Sequence, residues 1–264
     1  MRKYYLPSAA FLLAGIVCAV LRRIIVSQAF DSNNLPIKGF WAITAVNILV
    51  VLMTAAAIFI AHRITKEYEV LPRYSLAFQS KSLVVIILKL AATLAFIIGA
   101  VLVVTETAGE ISEKTKLVQV IAFCVTAVIG AFAFLRQTRA AAAGKNNQGD
   151  AYLGAFAAFA LAFRILAIYF DNTANPVIIS YSFDCIALSA SCLFVFLAAG
   201  WFTGKLQPFS TIVCGLEATL FCLAGTIGNT VCTGDKIICL SVGVYSTICT
   251  MSFLKNLKQI KRVF

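Results

Sequence analysis

Residues 82–104 read SLVVIILKLAATLAFIIGAVLVV, an apolar run that carries a single charge, Lys89. A helix rises about 1.5 Å per residue, so roughly 20 such residues cross the hydrocarbon core of a bilayer. Seven further stretches have the same character: 6–30, 39–62, 117–135, 151–170, 177–202, 209–231 and 236–254. The first is the weakest, because Arg22 and Arg23 interrupt it. It lacks a small-residue cleavage site followed by a soluble chain, and it reads as a helix, not as a signal peptide. The predicted fold is therefore all-α: a polytopic membrane bundle of about eight transmembrane helices.

Composition points the same way. Hydrophobic residues make up 61% of the 264 and charged residues 12%, with a mean hydropathy of +0.93. Soluble domains carry about 25% charged residues, so this chain could not cover a water-facing surface. The net charge of +11 would suit a nucleic-acid partner, but the basic residues sit in short loops between apolar runs, where the positive-inside rule places them. No nucleic acid is expected; the lipid bilayer is the partner. With the N-terminus inside, 14 of the 22 lysines and arginines fall in cytoplasmic stretches, four in exterior loops and four within spans. Both termini are expected to be cytoplasmic.

The nine cysteines form no CxxC or Cys/His pattern, and His62 is the only histidine. Metal and redox motifs need such spacings, so no metal or cofactor is implied. HExxH, GxSxG and P-loop motifs are absent, which leaves no catalytic residue to assign and disfavours an enzyme.

The chain carries signs of an internal duplication. Phe30-Asp31…Pro36 recurs as Phe170-Asp171…Pro176, each group preceded by an arginine, Arg23 or Arg164. Leu90, Ala92, Thr93, Leu94 and Gly99 match Leu216, Ala218, Thr219, Leu220 and Gly225. The expected organisation is a four-helix repeat over 1–139, a linker loop over 140–150 (AAAAGKNNQG and Asp150) and a second repeat over 151–264. Two even-numbered halves enter the membrane in the same sense, as parallel repeats do. The longest loop, 63–81, has room for a short surface helix.

Charges inside the spans carry the functional reading, because each costs roughly 2.5–3.5 kcal/mol at the bilayer centre on insertion scales. Arg164 and Asp184 flank the turn at 171–176 and are expected to pair as neighbours in a helical hairpin. Lys89 and Glu217 lie on repeat-related spans and are expected to face each other across a pseudo-twofold axis. Arg22 and Arg23 have only Thr44 and Asn47 at the position equivalent to Asp184, which leaves the outer half with an excess of positive charge. On this reading Arg23, Arg164, Asp184, Lys89 and Glu217 line a path for a small anionic solute, and the protein is a transporter or permease. A non-catalytic accessory or sensor subunit, working with other membrane subunits, is the alternative. A lipid-modifying membrane enzyme is the weaker one.

Overall fold

The computed structural model describes residues 6–30, 37–108, 114–172, 181–227 and 232–259. Among the described residues, eight long helices and one short one account for nearly all of the ordered backbone. The spans are α1 (Leu6–Gln28), α2 (Trp41–Glu67), α4 (Leu83–Ala108), α5 (Lys114–Ala143), α6 (Gly149–Asp171), α7 (Ser182–Gly200), α8 (Pro208–Gly225) and α9 (Thr233–Lys255). All eight are long and apolar enough to cross a membrane, and the chain is an integral, multi-pass membrane protein. We use "terminal face" for the side where α1 begins and α9 ends, and "distal face" for the opposite side.

Two of these boundaries have a plain local cause. Gly144, at φ +69°, follows α5 in the left-handed conformation that glycine adopts without penalty. Its amide donates to the Ala140 carbonyl at 3.0 Å. Pro208 opens α8, at a position where its missing N–H is not needed. Arg22 and Arg23 do not interrupt α1, which runs unbroken to Gln28. The segment expected to be a linker is largely helical: α5 continues to Ala143, and Ala140 and Ala141 are buried. Only five residues, 144–148, separate α5 from α6.

The helices enclose one another unequally. α9 is the most enclosed, packed along α4 and α8 with α7 also against it, and α2 is the most exposed to lipid. The order α4, α5, α6, α7, α8, α9 closes a ring of neighbours, and the α1–α2 hairpin leans on α8 from outside. Lipid offers no hydrophobic drive for helices to associate, so close backbone approach through small residues supplies the contact energy. The α4–α9 crossing depends on this. A Cβ built on Gly99 would lie 2.9 Å from the Gly234 carbonyl oxygen, and one on Gly234 would lie 2.7 Å from that of Gly99.

This packing does not display the expected twofold between halves. α4 lies along α9, yet the repeat-related pair, α8 and α5, is not among the packed pairs; α8 packs on α1, α2, α7 and α9 instead. The Asp31–Pro36 and most of the Asp171–Pro176 segments lie outside the described residues, so the motif itself lends the duplication no structural support.

The loop after α2 is not a surface element. It forms a two-residue strand, β1 (Tyr68–Glu69), antiparallel to β2 (Lys258–Gln259), and then a single helical turn, α3 (Tyr74–Ala77), that is buried. The Tyr74 ring stacks on Phe202 at 4.1 Å and on Phe78 at 4.6 Å, and Phe78 meets Trp201 and Phe253. The Asn256 amide pins the turn by donating to the carbonyls of Ala77 at 3.0 Å and Gln79 at 2.9 Å. An aromatic plug thus closes the terminal face.

Candidate functional site

The distal half holds two buried ion pairs, and neither is the one expected. Arg22 of α1 reaches Asp184 of α7: Nη2 donates to Oδ2 at 2.8 Å, and Nη1 donates to the Ala224 carbonyl of α8 at 3.1 Å. Its guanidinium also lies 5.1 Å from the centre of the Phe183 ring. Arg164 of α6 reaches Asp235 of α9, with Nε donating to Oδ1 at 2.8 Å and Nη2 to Oδ2 at 2.7 Å. This is the forked geometry that makes arginine the preferred partner of a carboxylate away from water. The expected Arg164–Asp184 pair is therefore corrected: the two residues take different partners on different helices. Helix rotation is the reason, because it aims Asp184 at α1 and Arg164 at α9 and not at each other.

Arg23 stands apart from these pairs. It is exposed, one residue round the helix from the buried Arg22, and takes no part in this arrangement. Thr44 and Asn47 are likewise exposed on α2. Among the buried charges the expected positive excess disappears, since Arg22 and Arg164 are matched one for one by Asp184 and Asp235. Asp235 went unnoticed because an acidic residue just before Lys236 reads as loop, whereas α9 begins two residues earlier. At this helix start the Cys232 thiol donates to Asp235 Oδ2 at 3.1 Å. Burial, followed by the Asp235 carboxylate, pushes that thiol's pKa up and keeps it a donor. The Gly234 amide donates to Glu106 at 3.2 Å, which satisfies one of the free N–H groups of the first turn. Lys116 and Asp171 meet at 3.4 Å nearby but are partly exposed, where such pairs contribute little.

Deeper in the bundle the charges have no such partners. Lys89 is 1% exposed, and its Nζ has no hydrogen-bond partner; it lies over the Tyr245 ring, 5.8 Å from the centroid. Glu217, near the middle of α8, is 8% exposed with both carboxylate oxygens unpartnered. The Thr54 hydroxyl of α2 is close by but not in hydrogen-bonding geometry. Lys89 and Glu217 do not face each other. Lys89 points into α9, over Tyr245, and Glu217 points toward the outlying α2.

Further buried polar groups surround Tyr245. Its hydroxyl donates to Gln137 Oε1 at 3.0 Å, and Tyr74, Thr138 and Cys249 neighbour that hydroxyl. Burial, then Tyr245 and Cys249, pushes the Tyr74 phenol well above its ordinary range. Composition gave no hint of this cluster, because single tyrosines and glutamines in apolar runs look like interfacial residues. Among the described residues no group of three or more His, Cys, Asp or Glu could hold a metal ion.

A small cleft of about 10 Å³ reaches Arg164 among Thr107, Lys116, Phe123 and Asp171, and two larger clefts among the described residues lie elsewhere on the surface. One of about 440 Å³ between α4 and α5 is lined by Ile97, Val101, Val128 and Phe132 and opens to the lipid. The other, about 310 Å³, lies on the terminal face among Arg136, Arg139, Lys145 and Asp150. Neither is lined by Lys89 or Glu217. Compared with protein-family models, curated proteins and solved structures, the chain matches none.

Proposed function

We propose that this membrane protein moves a small anionic solute across the bilayer, with Lys89 and Glu217 as its working charges and both termini in the cytoplasm. One observation carries the reading. The buried charges of the distal half are all matched by fixed partners, whereas Lys89 and Glu217 are left without any among the described residues. A fixed pair suits helix packing. An unmatched charge inside a bilayer is costly, and such residues mark substrate and proton pathways. The two Arg–Asp pairs then serve as a distal closure and the α3 aromatic plug as a terminal one. Lys89 receives the solute between them, and Glu217 exchanges a proton that couples to its movement. Arg164 and Asp184, on this reading, hold the closure and do not touch the solute.

The test is uptake of a panel of small anions into liposomes that contain the purified protein. Lys89→Met is expected to abolish uptake at equal incorporation, Glu217→Gln to remove its pH dependence, and exposed Arg23→Gln to leave it unchanged. No flux for any anion, or equal flux in wild type and Lys89→Met, overturns the reading. A non-catalytic accessory subunit is the second reading, favoured by the complete pairing of the distal charges, and it predicts no flux from any variant.

A further inference from the structure

We propose that the chain holds one anionic phospholipid in the leaflet at its terminal face. The headgroup phosphate lies in the basic cleft beside Arg139 and Lys145, and an acyl chain lies in the apolar groove between α4 and α5. The site is separate from Lys89 and Glu217 and does not depend on the transport reading.

Depth decides what can reach this cleft. Lys116 and Arg136 lie about 20 residues apart on α5, a rise of roughly 30 Å, which matches the hydrocarbon core of a bilayer. With Lys116 at the distal boundary, Arg136 and Arg139 stand among the headgroups of the terminal face. Tyr152, exposed on the first turn of α6, suits the same level, where tyrosines gather. The cleft there, about 310 Å³, is lined by Arg136, Arg139, Lys145 and Asp150. Its one acidic member is already engaged: buried Asp150 accepts from Arg136 Nε at 3.0 Å. Arg139 and Lys145 are exposed and take no acidic partner among the described residues. The loop that carries Lys145 is held in place. Gly144 turns it at φ +69°, Asn146 Nδ2 donates to the Phe202 carbonyl at 3.2 Å, and Asn147 Oδ1 accepts from the Gly149 amide at 3.1 Å. Basic pockets between helix ends at the membrane surface suit phosphate headgroups, and arginine's fork of donors matches phosphate oxygens.

The groove gives the lipid's tail a place. It has about 440 Å³, and its α5 wall includes Val128, Phe132 and Leu135, all of them exposed. Residues 128, 132, 135 and 139 follow helical spacing, so Arg139 continues the stripe of the groove wall one turn nearer the terminal face. An apolar groove that leads to an unmatched cation has the charge pattern of an anionic amphiphile. Free phosphate would satisfy the cleft and leave the groove empty. A zwitterionic lipid would fill the groove but bring its own cation to Arg139 and Lys145.

The experiment is native mass spectrometry of the full chain in detergent micelles, titrated with phosphatidylglycerol, with phosphatidylcholine of the same acyl chains, or with inorganic phosphate. One phosphatidylglycerol is expected to bind saturably and more tightly than phosphatidylcholine, and phosphate should not displace it. Arg139→Ala/Lys145→Ala should weaken that binding roughly thirty-fold, the scale of two cations at a membrane surface. Lys66→Ala/Lys255→Ala removes the same charge from the terminal face outside the cleft and should leave it unchanged. Val128→Trp fills the groove and should weaken the long-chain lipid while sparing a dihexanoyl one. All five side chains are exposed, so the variants keep the fold. Equal affinity for the two lipids overturns the proposal. So does equal weakening in the two double variants, which marks diffuse surface charge. Displacement by inorganic phosphate would assign the cleft to a free anion and overturn the lipid assignment, and long-chain binding unchanged in Val128→Trp would overturn the placement of the tail.

Discussion

Replacing Asp235 with asparagine keeps its shape and removes its charge, leaving Arg164 buried opposite a neutral amide. The pair consists of two charge-assisted hydrogen bonds, at 2.8 and 2.7 Å. Removing one member of a buried pair typically costs about 3–5 kcal/mol, because the other charge is left uncompensated. Membrane double-mutant cycles give lower values, averaging about 0.6 kcal/mol per interhelical hydrogen bond, which sets a floor of about 1.2 kcal/mol for two. Asp235→Asn is therefore expected to destabilise by about 3 kcal/mol, roughly a hundred-fold in the folded-to-unfolded ratio. The double variant Arg164→Gln/Asp235→Asn should lose less than the two singles together, by at least about 1.2 kcal/mol. Reversible unfolding by SDS titration in mixed micelles measures each corner of the cycle. A parallel cycle on Arg164 and Asp184 serves as the control and should show the weaker coupling. Additivity of Arg164→Gln and Asp235→Asn within about 0.5 kcal/mol would refute the pairing. Stronger coupling of Arg164 to Asp184 than to Asp235 would restore the hairpin expected from the sequence.

Two further outcomes test the scaffold. Gly234→Val should wedge α9 from α4, at a cost of about 1–3 kcal/mol in the same unfolding assay, as overpacking does; wild-type stability would show that the crossing is looser than described. In a cysteine-free background, Gln148→Cys should resist a membrane-impermeant thiol reagent in intact cells while Lys38→Cys labels, and labelling of Gln148→Cys from outside would reverse the assigned topology.

The spans were legible because hydropathy is a local property. A run such as 82–104 cannot be accommodated in water, whatever surrounds it. Partner choice was not legible, because it depends on the rotation of each helix. The burial stripe of α1, however, was open to reading: Phe11, Ala14, Cys18, Arg22 and Ile25 recur at helical spacing and place Arg22, not Arg23, inside. Arg23 was selected only through the alignment of Phe-Asp…Pro groups, and the packing gives that alignment no support. Asp235 had a comparable signal. It begins a stripe that runs through Ile238, Val242, Tyr245 and Cys249, all of them buried. Starting the span at Lys236 cut that stripe off at its first residue, and with it the partner of Arg164. The buried turn at Tyr74 was hidden for a different reason. Four residues give no periodicity, and only contacts with Trp201, Phe202 and Phe253, more than a hundred positions away, bury it.

α9 shows why Lys89 stands apart from the bundle's buried hydroxyls, which read as packing. Its side chains divide by face. Toward α8, Thr247 bonds to Thr219 at 2.9 Å and to its own helix's Gly243 carbonyl at 2.7 Å. Ser241 and Ser252 likewise donate to carbonyls one turn back, at 2.8 Å each. Serine and threonine can always retreat to their own backbone in this way, so even a buried hydroxyl such as Ser246, unpartnered here, has an inexpensive alternative. A lysine ammonium has none. It cannot turn back to a helix whose carbonyls are already engaged, and at 1% exposure Lys89 has not snorkelled to the headgroups, the usual escape for a long stem. An acceptor from outside the chain, such as the proposed solute, would satisfy it.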